Sequence, residues 1–332
     1  MTVLVTGGSG LVGSHVIEAL RARSVPVRAL ARPAAAAAVA ALGAELVTGD
    51  VTDPAAWQRA CAGGVSGIVH AAAIVQRPVP WAAYEAVNVG GTRLAVAAAR
   101  AAGGGTRLVH VSSVAVYGGT ADYRPERERR TEDAPFRSIP EHDHYARSKR
   151  EAEALVRAFA ETDGFTGIAI RPNVIYGERD RLFTPRVIRA MRAPIIPLIG
   201  PGTNHLSCVY AGNVATAIVA ALEAPVSGFR AYNVACDAPP PLTAREFLEA
   251  FAAACGGGAR PRFFRVPAMV ASMVMSLWTG PALARAGLSF ITGENPYVTD
   301  RAHAELGWTP HLASREAIAR TVRWERANEK PG

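Results

Sequence analysis

Tyr145 and Lys149 stand four residues apart in "YARSK", at the start of the amphipathic run "RSKREAEALVRAFAE". That spacing places a phenol and an ammonium on one face of a helix. A hydride delivered to a ketone leaves a developing alkoxide that needs a proton. A phenol with an ordinary pKa near 10 must be poised about three units lower, roughly 4 kcal/mol, to serve in both directions. A neighbouring ammonium favours the phenolate, and a compact charge on a flexible stem also reaches sugar hydroxyls. The lysine stands out, because of 36 basic residues only Lys149 and Lys330 are lysine. With 8 tyrosines in the chain, such a pair would arise by chance about one time in twenty. The plain alternative is a solvated pair on a surface helix.

Two further groups could work with this pair. "VTGGSGLVGSHV" carries Gly8, Gly10 and Gly13 as a GxGxxG, and Gly7, Gly10 and Gly13 as a GxxGxxG, between a strand and a helix. Glycine there allows a tight turn and lets backbone N–H groups and the helix N-terminus, with Leu11 and Val12, approach a pyrophosphate. In "LVHVSSVAVYG", Ser112 and Ser113 end a strand, on the carboxyl edge where such sheets bind ligands. A hydroxyl there can donate to a substrate carbonyl oxygen; it can equally cap a turn.

About twenty residues past the glycine turn, "PVRALARPAAAAA" offers Arg32 where an acidic residue would select NAD through the ribose 2′-hydroxyl. A guanidinium can instead bind a 2′-phosphate bidentately, so NADP is the expected cofactor and NAD the alternative. Arg28 is also close in sequence.

These groups need a scaffold. The first half alternates apolar β-branched runs with helical patterns, "TVLVTG", "GSHVIEALRAR", "VPVRALAR", "AELVTGD", "GIVHAAA" and "RLVHVSS", which predicts an α/β doubly wound parallel sheet of Rossmann type. The expected division is a dinucleotide-binding domain over 1–171, rejoined by 207–236, with a discontinuous substrate lobe from 172–206 and 237–332. A long charged loop, Gly118 to Tyr145, reads as a lid or a mobile segment. Val266 to Gly280, "VPAMVASMVMSLWTG", is too short to cross a bilayer. It reads as core, as a pocket wall or as a helix in peripheral contact with a membrane.

At 332 residues and 49% hydrophobic content, the chain can bury a large core. The formal charge of +8 is spread among acidic residues, as in "ERERRTEDAP", with no basic block, which argues against a nucleic-acid partner. Cys61, Cys208, Cys236 and Cys255 form no CxxC pair, and no metal site is expected. The opening strand carries no leader pattern, so a reduced, cytoplasmic protein is expected.

The glycine turn, "GD" ending at Asp50, "HAAA" from His70, "VNVGGT" around Asn88, "SSVAVYG" and "YARSK", in this order, resemble the extended short-chain dehydrogenase/reductase family over essentially the whole chain. The resemblance implies that Tyr145 is the acid/base, that Lys149 binds the nicotinamide ribose and tunes the tyrosine, and that Ser113 holds the substrate oxygen, with Ser112 as the fallback. It also implies adenine contacts from Asp50 and Val51, contacts along the cofactor from Ala71, Ala72, Ala73 and Asn88, and contacts near the nicotinamide from Pro172 to Val174. "RPNVIYGERDRLFTPRVIRA", "IGPGTNHLSCVYAGNVATAIVAALEA" and "VTDRAHAELGWTP" look most like the 3β-hydroxysteroid dehydrogenase and 3-oxoalkanoate reductase branch. A hydrophobic ketone or secondary alcohol would then be the substrate, and a homodimer through a bundle including "YARSKREAEALVRAF" the assembly. The rival on the same fold is a nucleotide-sugar epimerase or dehydratase retaining NAD, favoured by the arginines at 179, 181, 186, 189 and 192.

Overall fold

The computed structural model describes residues 2–118, 129–162, 164–256, 262–279 and 281–329. Seven parallel strands form one sheet: β1 (Val3–Thr6), β2 (Val27–Ala31), β3 (Glu45–Thr48), β4 (Gly67–His70), β5 (Arg107–Val111), β6 (Thr166–Pro172) and a late strand, Gly228–Val234. With the late strand named β10, their order is β10-β6-β5-β4-β1-β2-β3. The chain runs outward from β1 in both directions, so a crevice opens between β1 and β4 at their carboxyl ends. β1 and β4 are buried throughout, as a parallel sheet covered on both faces demands.

One face packs Val5, Val69, Val109 and Ile168 against the helices Leu11–Ala22 and Ala211–Glu223. The other packs Leu4, Ile68 and Leu108 against Trp57, Ala95, Val156 and Phe159. The helix Ala211–Glu223 thus covers the sheet as the sequence suggests, but the strand before it does not enter it. That strand, β9 (Cys208–Tyr210), pairs with β7 (Val174–Tyr176) in a separate ribbon. Another pair, β8 (Ile195–Ile199) with β11 (Arg262–Val266), and the helix Ala244–Ala254 lie farther along the chain. Tyr176, Tyr210, Phe247 and Phe251 form an aromatic core of their own there.

Of the long charged loop, residues 119–128 lie outside the described residues. Its second half is anchored, which differs from a mobile reading. Arg130 bridges to Tyr297, and the buried Glu132 carboxylate accepts the Asn233 N–H at 2.8 Å.

His70 and His110 occupy paired positions on β4 and β5 and stack at 5.7 Å between ring centroids. His70 Nδ1 meets Thr6 Oγ1 at 2.9 Å, whereas His70 Nε2 and both His110 nitrogens have no partner among the described residues. Burial, reinforced by Lys149, holds His70 down at about 3 and His110 well below the ordinary imidazole range. Both are neutral when folded, while the unfolded chain takes up protons near pH 6.5. Stability is therefore present above that pH and lost as pH falls, at up to about 1.4 kcal/mol per pH unit for each histidine. Urea unfolding is expected to show a loss of about 3 kcal/mol from pH 6.5 to 5, roughly halved in His110→Phe. A pH-independent midpoint would contradict neutral burial.

Candidate active site

The glycine turn follows β1. Gly7 has φ +70, and a Cβ there would stand 2.7 Å from the Ala72 nitrogen; a Cβ on Gly13 would stand 2.3 Å from the Gly7 oxygen. Neither position tolerates a side chain. Gly10 N–H donates to Gly7 O at 2.9 Å, closing the turn. The helix Leu11–Ala22 then begins with no side chain capping its first N–H groups, so these are left for an anion. The cradle fits a dinucleotide.

β2 ends at Ala31, and Arg32, exposed, begins the next turn. Arg28 points elsewhere: its guanidinium binds Glu45 at 3.0 Å and the carbonyls of Ala60 and Ala62. Of the two, only Arg32 has no side-chain partner among the described residues. Asp50 follows β3 in an Asx turn, accepting from the Thr52 N–H and hydroxyl at 3.0 and 2.9 Å. Val51 is buried beside it.

Ala71, Ala72 and Ala73 leave β4 alongside the glycine turn; the Ala72 N–H donates to Thr6 Oγ1. Asn88 lies within a π-helical turn, Glu85–Gly90, a distortion common at functional sites. Its amide is fully engaged by the protein. Oδ1 accepts the Ile74 N–H at 2.7 Å, and Nδ2 donates to Ile74 O and to Ser148 Oγ at 2.9 Å. Asn88 therefore ties Ile74, the residue after the Ala71–Ala73 stretch, to Ser148 of the helix His144–Ala160, the residue before Lys149.

The two serines separate cleanly. Ser112 donates to the Glu153 carboxylate at 2.6 Å, on the buried side. Ser113 caps the turn Val114–Tyr117, its oxygen accepting the Ala115 N–H at 3.1 Å, and stands beside the Tyr145 phenol, where its hydroxyl favours the phenolate.

Asp143 caps the helix carrying the pair, accepting from the Ala146 N–H at 3.0 Å. Lys149 is buried and donates to Val111 O at 2.7 Å. Burial brings its pKa to about 8, with the Glu153 carboxylate pulling the other way. Tyr145 departs from the expectation of a lowered phenol. Burial raises it to about 12, while the Ser113 hydrogen bond opposes this and Asp143 and Tyr84 add to it. The physical reason is that the Lys149 ammonium is tied to a backbone carbonyl in a desolvated site, so burial outweighs charge stabilisation. The phenol is accordingly protonated at neutral pH.

Glu153 and Arg171 escape a reading confined to motifs. The Arg171 guanidinium, 1% exposed, grips Glu153 at 2.5 and 3.1 Å and also donates to the Tyr117 hydroxyl and Glu132 O. Glu153 lies one further step along Tyr145 and Lys149, and that i, i+4, i+8 row was the available signal. Pro172 ends β6 and Val174 begins β7; between them Asn173 donates to Ser207 Oγ and Ala235 O, and its buried Oδ1 has no partner among the described residues.

The five arginines of the next segment divide. Arg179 is held by Glu18 and Ser14, and Arg192 by Glu329. Arg181, Arg186 and Arg189 are exposed.

Residues 3–235 match the model of the NAD dependent epimerase/dehydratase family. The chain is 32% identical over 332 residues, 96% of its length and 95% of the relative's, to 4-hydroxy-2-methyl-3-oxo-4-farnesyl-3,4-dihydroquinoline-1-oxide ketoreductase of Stigmatella aurantiaca. It is 28% identical to 2-alkyl-3-oxoalkanoate reductase of Stenotrophomonas maltophilia, covering 96% of this chain and 98% of that one. Among solved structures, a dTDP-glucose 4,6-dehydratase double mutant from Streptomyces venezuelae with NAD bound superposes with a TM-score of 0.74 at 26% identity, over 99% of this chain and 98% of that one.

Proposed function

Because the chain belongs to the NAD dependent epimerase/dehydratase family, we propose that it is an NADP(H)-dependent ketoreductase acting on a hydrophobic ketone or the matching secondary alcohol. The observation that carries this reading is the meeting of Ser113 and Tyr145, with Lys149 buried one helical turn along and bound to Val111 O, at the edge of the sheet that also holds the glycine turn. The near-full-length relatives named as reductases support it.

A bound nicotinamide would supply or accept the hydride. The N–H groups of the glycine turn would hold the pyrophosphate, and the Ala71–Ala73 stretch, next to the Ile74 held by Asn88, would lie along the dinucleotide. Ser113 and Tyr145 both donate to the substrate oxygen, which orients the carbonyl. Tyr145 then gives its proton to the alkoxide. Lys149, near half-ionised at pH 8, offsets the charge left on the phenolate. Arg32 would bind the 2′-phosphate of NADP, and Asp50 and Val51 would contact the adenine. The segments 172–206 and 237–332 form the substrate lobe. Four free cysteines suit a reduced compartment such as the cytoplasm, and a homodimer through the outer side of the helix His144–Ala160 belongs to the same reading.

The test is cofactor oxidation against ketones of rising hydrophobicity, with UDP-sugars alongside. NADPH consumption should rise with hydrophobicity, and Arg32→Ala should raise the KM for NADPH at least about tenfold while sparing NADH, the loss of one charged hydrogen-bonded contact. Preference for NADH unchanged by Arg32→Ala would remove the NADP assignment. Interconversion of a nucleotide sugar without net cofactor consumption would replace the reductase by an epimerase.

A further inference from the structure

The helix Ala268–Thr279 turns its apolar side outward. Met269 and Leu277 are each 82% exposed and Met273 64%, with Val270 and Val274 exposed beside them. These positions recur at i, i+4, i+8 and at i+1, i+5, so they form one stripe. The opposite side holds buried Ala271 and the half-buried Ser272, Met275 and Ser276. This reverses the ordinary amphipathic order of a surface helix. The preceding β11 and its partner β8 also expose apolar side chains, Phe264 and Ile195, on one face of that strand pair.

The surrounding charge is of one sign. Arg262, on the same face of β11 as Phe264, and Arg265, one residue past it on the other face, are exposed and pair with no carboxylate among the described residues. In the sequence no acidic residue occurs between Glu249 and Glu294, while Arg260, Arg262, Arg265 and Arg285 all do. Two copies meeting face to face would bring Arg262 and Arg265 of each together uncompensated. An anionic surface neutralises them.

We propose that this patch docks on an anionic lipid bilayer, with Met269, Met273 and Leu277 entering the acyl boundary and Arg262 and Arg265 meeting lipid phosphates. The helix lies in the interface plane; no helix among the described residues is long and apolar enough to cross a membrane. This docking does not depend on the reaction assigned above.

Vesicle co-sedimentation of the full chain tests it, using phosphatidylcholine alone and phosphatidylcholine with about a third phosphatidylglycerol. Binding to the anionic vesicles should exceed that to neutral ones at least about tenfold and should fall steeply in high salt. The double substitution Met273→Glu and Leu277→Glu, at exposed positions that leave the far-UV circular dichroism unchanged, should reduce binding at least about tenfold. Arg262→Gln with Arg265→Gln should bring anionic binding close to the neutral level, each arginine contributing about fivefold. Wild-type protein that stays in the supernatant with both vesicles overturns the proposal. So does sedimentation velocity in which Met273→Glu and Leu277→Glu split a dimer, since that assigns the face to a second copy.

Discussion

Tyr145→Phe is expected to lower kcat for ketone reduction by about a thousandfold, within the range for loss of a positioned proton donor, while leaving the dissociation constant for NADPH within about threefold. The substitution removes one oxygen. The ring still fills its place, and the glycine turn and Lys149 are untouched. Stopped-flow hydride transfer measures the first quantity and quenching of protein fluorescence the second. Turnover near the wild-type rate would end the assignment of Tyr145 as the donor. Loss of NADPH binding would mean that the phenol holds cofactor more than it moves protons. The pH dependence carries the same logic: with the phenol at about 12, the donor form is fully present through neutral pH. Any fall in the rate of reduction near pH 8 reports Lys149 losing its proton.

The second large effect concerns stability. Glu153→Ala leaves the Arg171 guanidinium buried without its counter-charge, and should cost about 3–5 kcal/mol, a large share of the 5–15 kcal/mol typical of a folded protein. Urea or thermal unfolding measures it. Replacing both partners, Glu153→Gln with Arg171→Met, should recover most of the loss, since the penalty belongs to the stranded charge. A double variant as unstable as Glu153→Ala would show that packing matters more than charge here. Glu153→Gln alone has a catalytic signature that a purely structural part would lack. Its carboxylate holds the Lys149 pKa up, so its loss should move the inflection in kcat/KM for reduction to lower pH.

The sheet was largely legible in the sequence because buried parallel strands are continuous apolar runs, and those of β1, β2, β4 and β5 stand out between polar helix faces. The glycine turn and the Tyr145–Lys149 spacing were legible because each is local, set within a single turn or helix. The choice between Ser112 and Ser113 needed the family pattern; the structure gives its reason, that adjacent residues leaving a strand point to opposite sides, one to Glu153 and one to Tyr145. Non-local features were not legible. Nothing in "RPNVIYG" says that Arg171 meets a glutamate 18 residues earlier, nor does "GTADYRPERERRTEDAP" announce that Glu132 is bound at the end of β10. Lys149 stood out by its rarity, but its influence on the phenol could not be judged without knowing that Val111 O accepts its hydrogen bond.

The place of β10 has a consequence for synthesis on the ribosome. Gly228–Val234 is hydrogen-bonded to Thr166–Pro172 along their whole length, so β6 has no outer neighbour until roughly sixty more residues have been translated. At about 5–20 residues per second, that open edge persists for about 3–12 s on each nascent chain. An apolar strand with unpaired N–H and C=O groups is a template for pairing with other chains. The yield of native protein should therefore depend on how fast residues 173–234 leave the exit tunnel, and synonymous codon choice in that interval becomes a determinant of aggregation although it changes no amino acid.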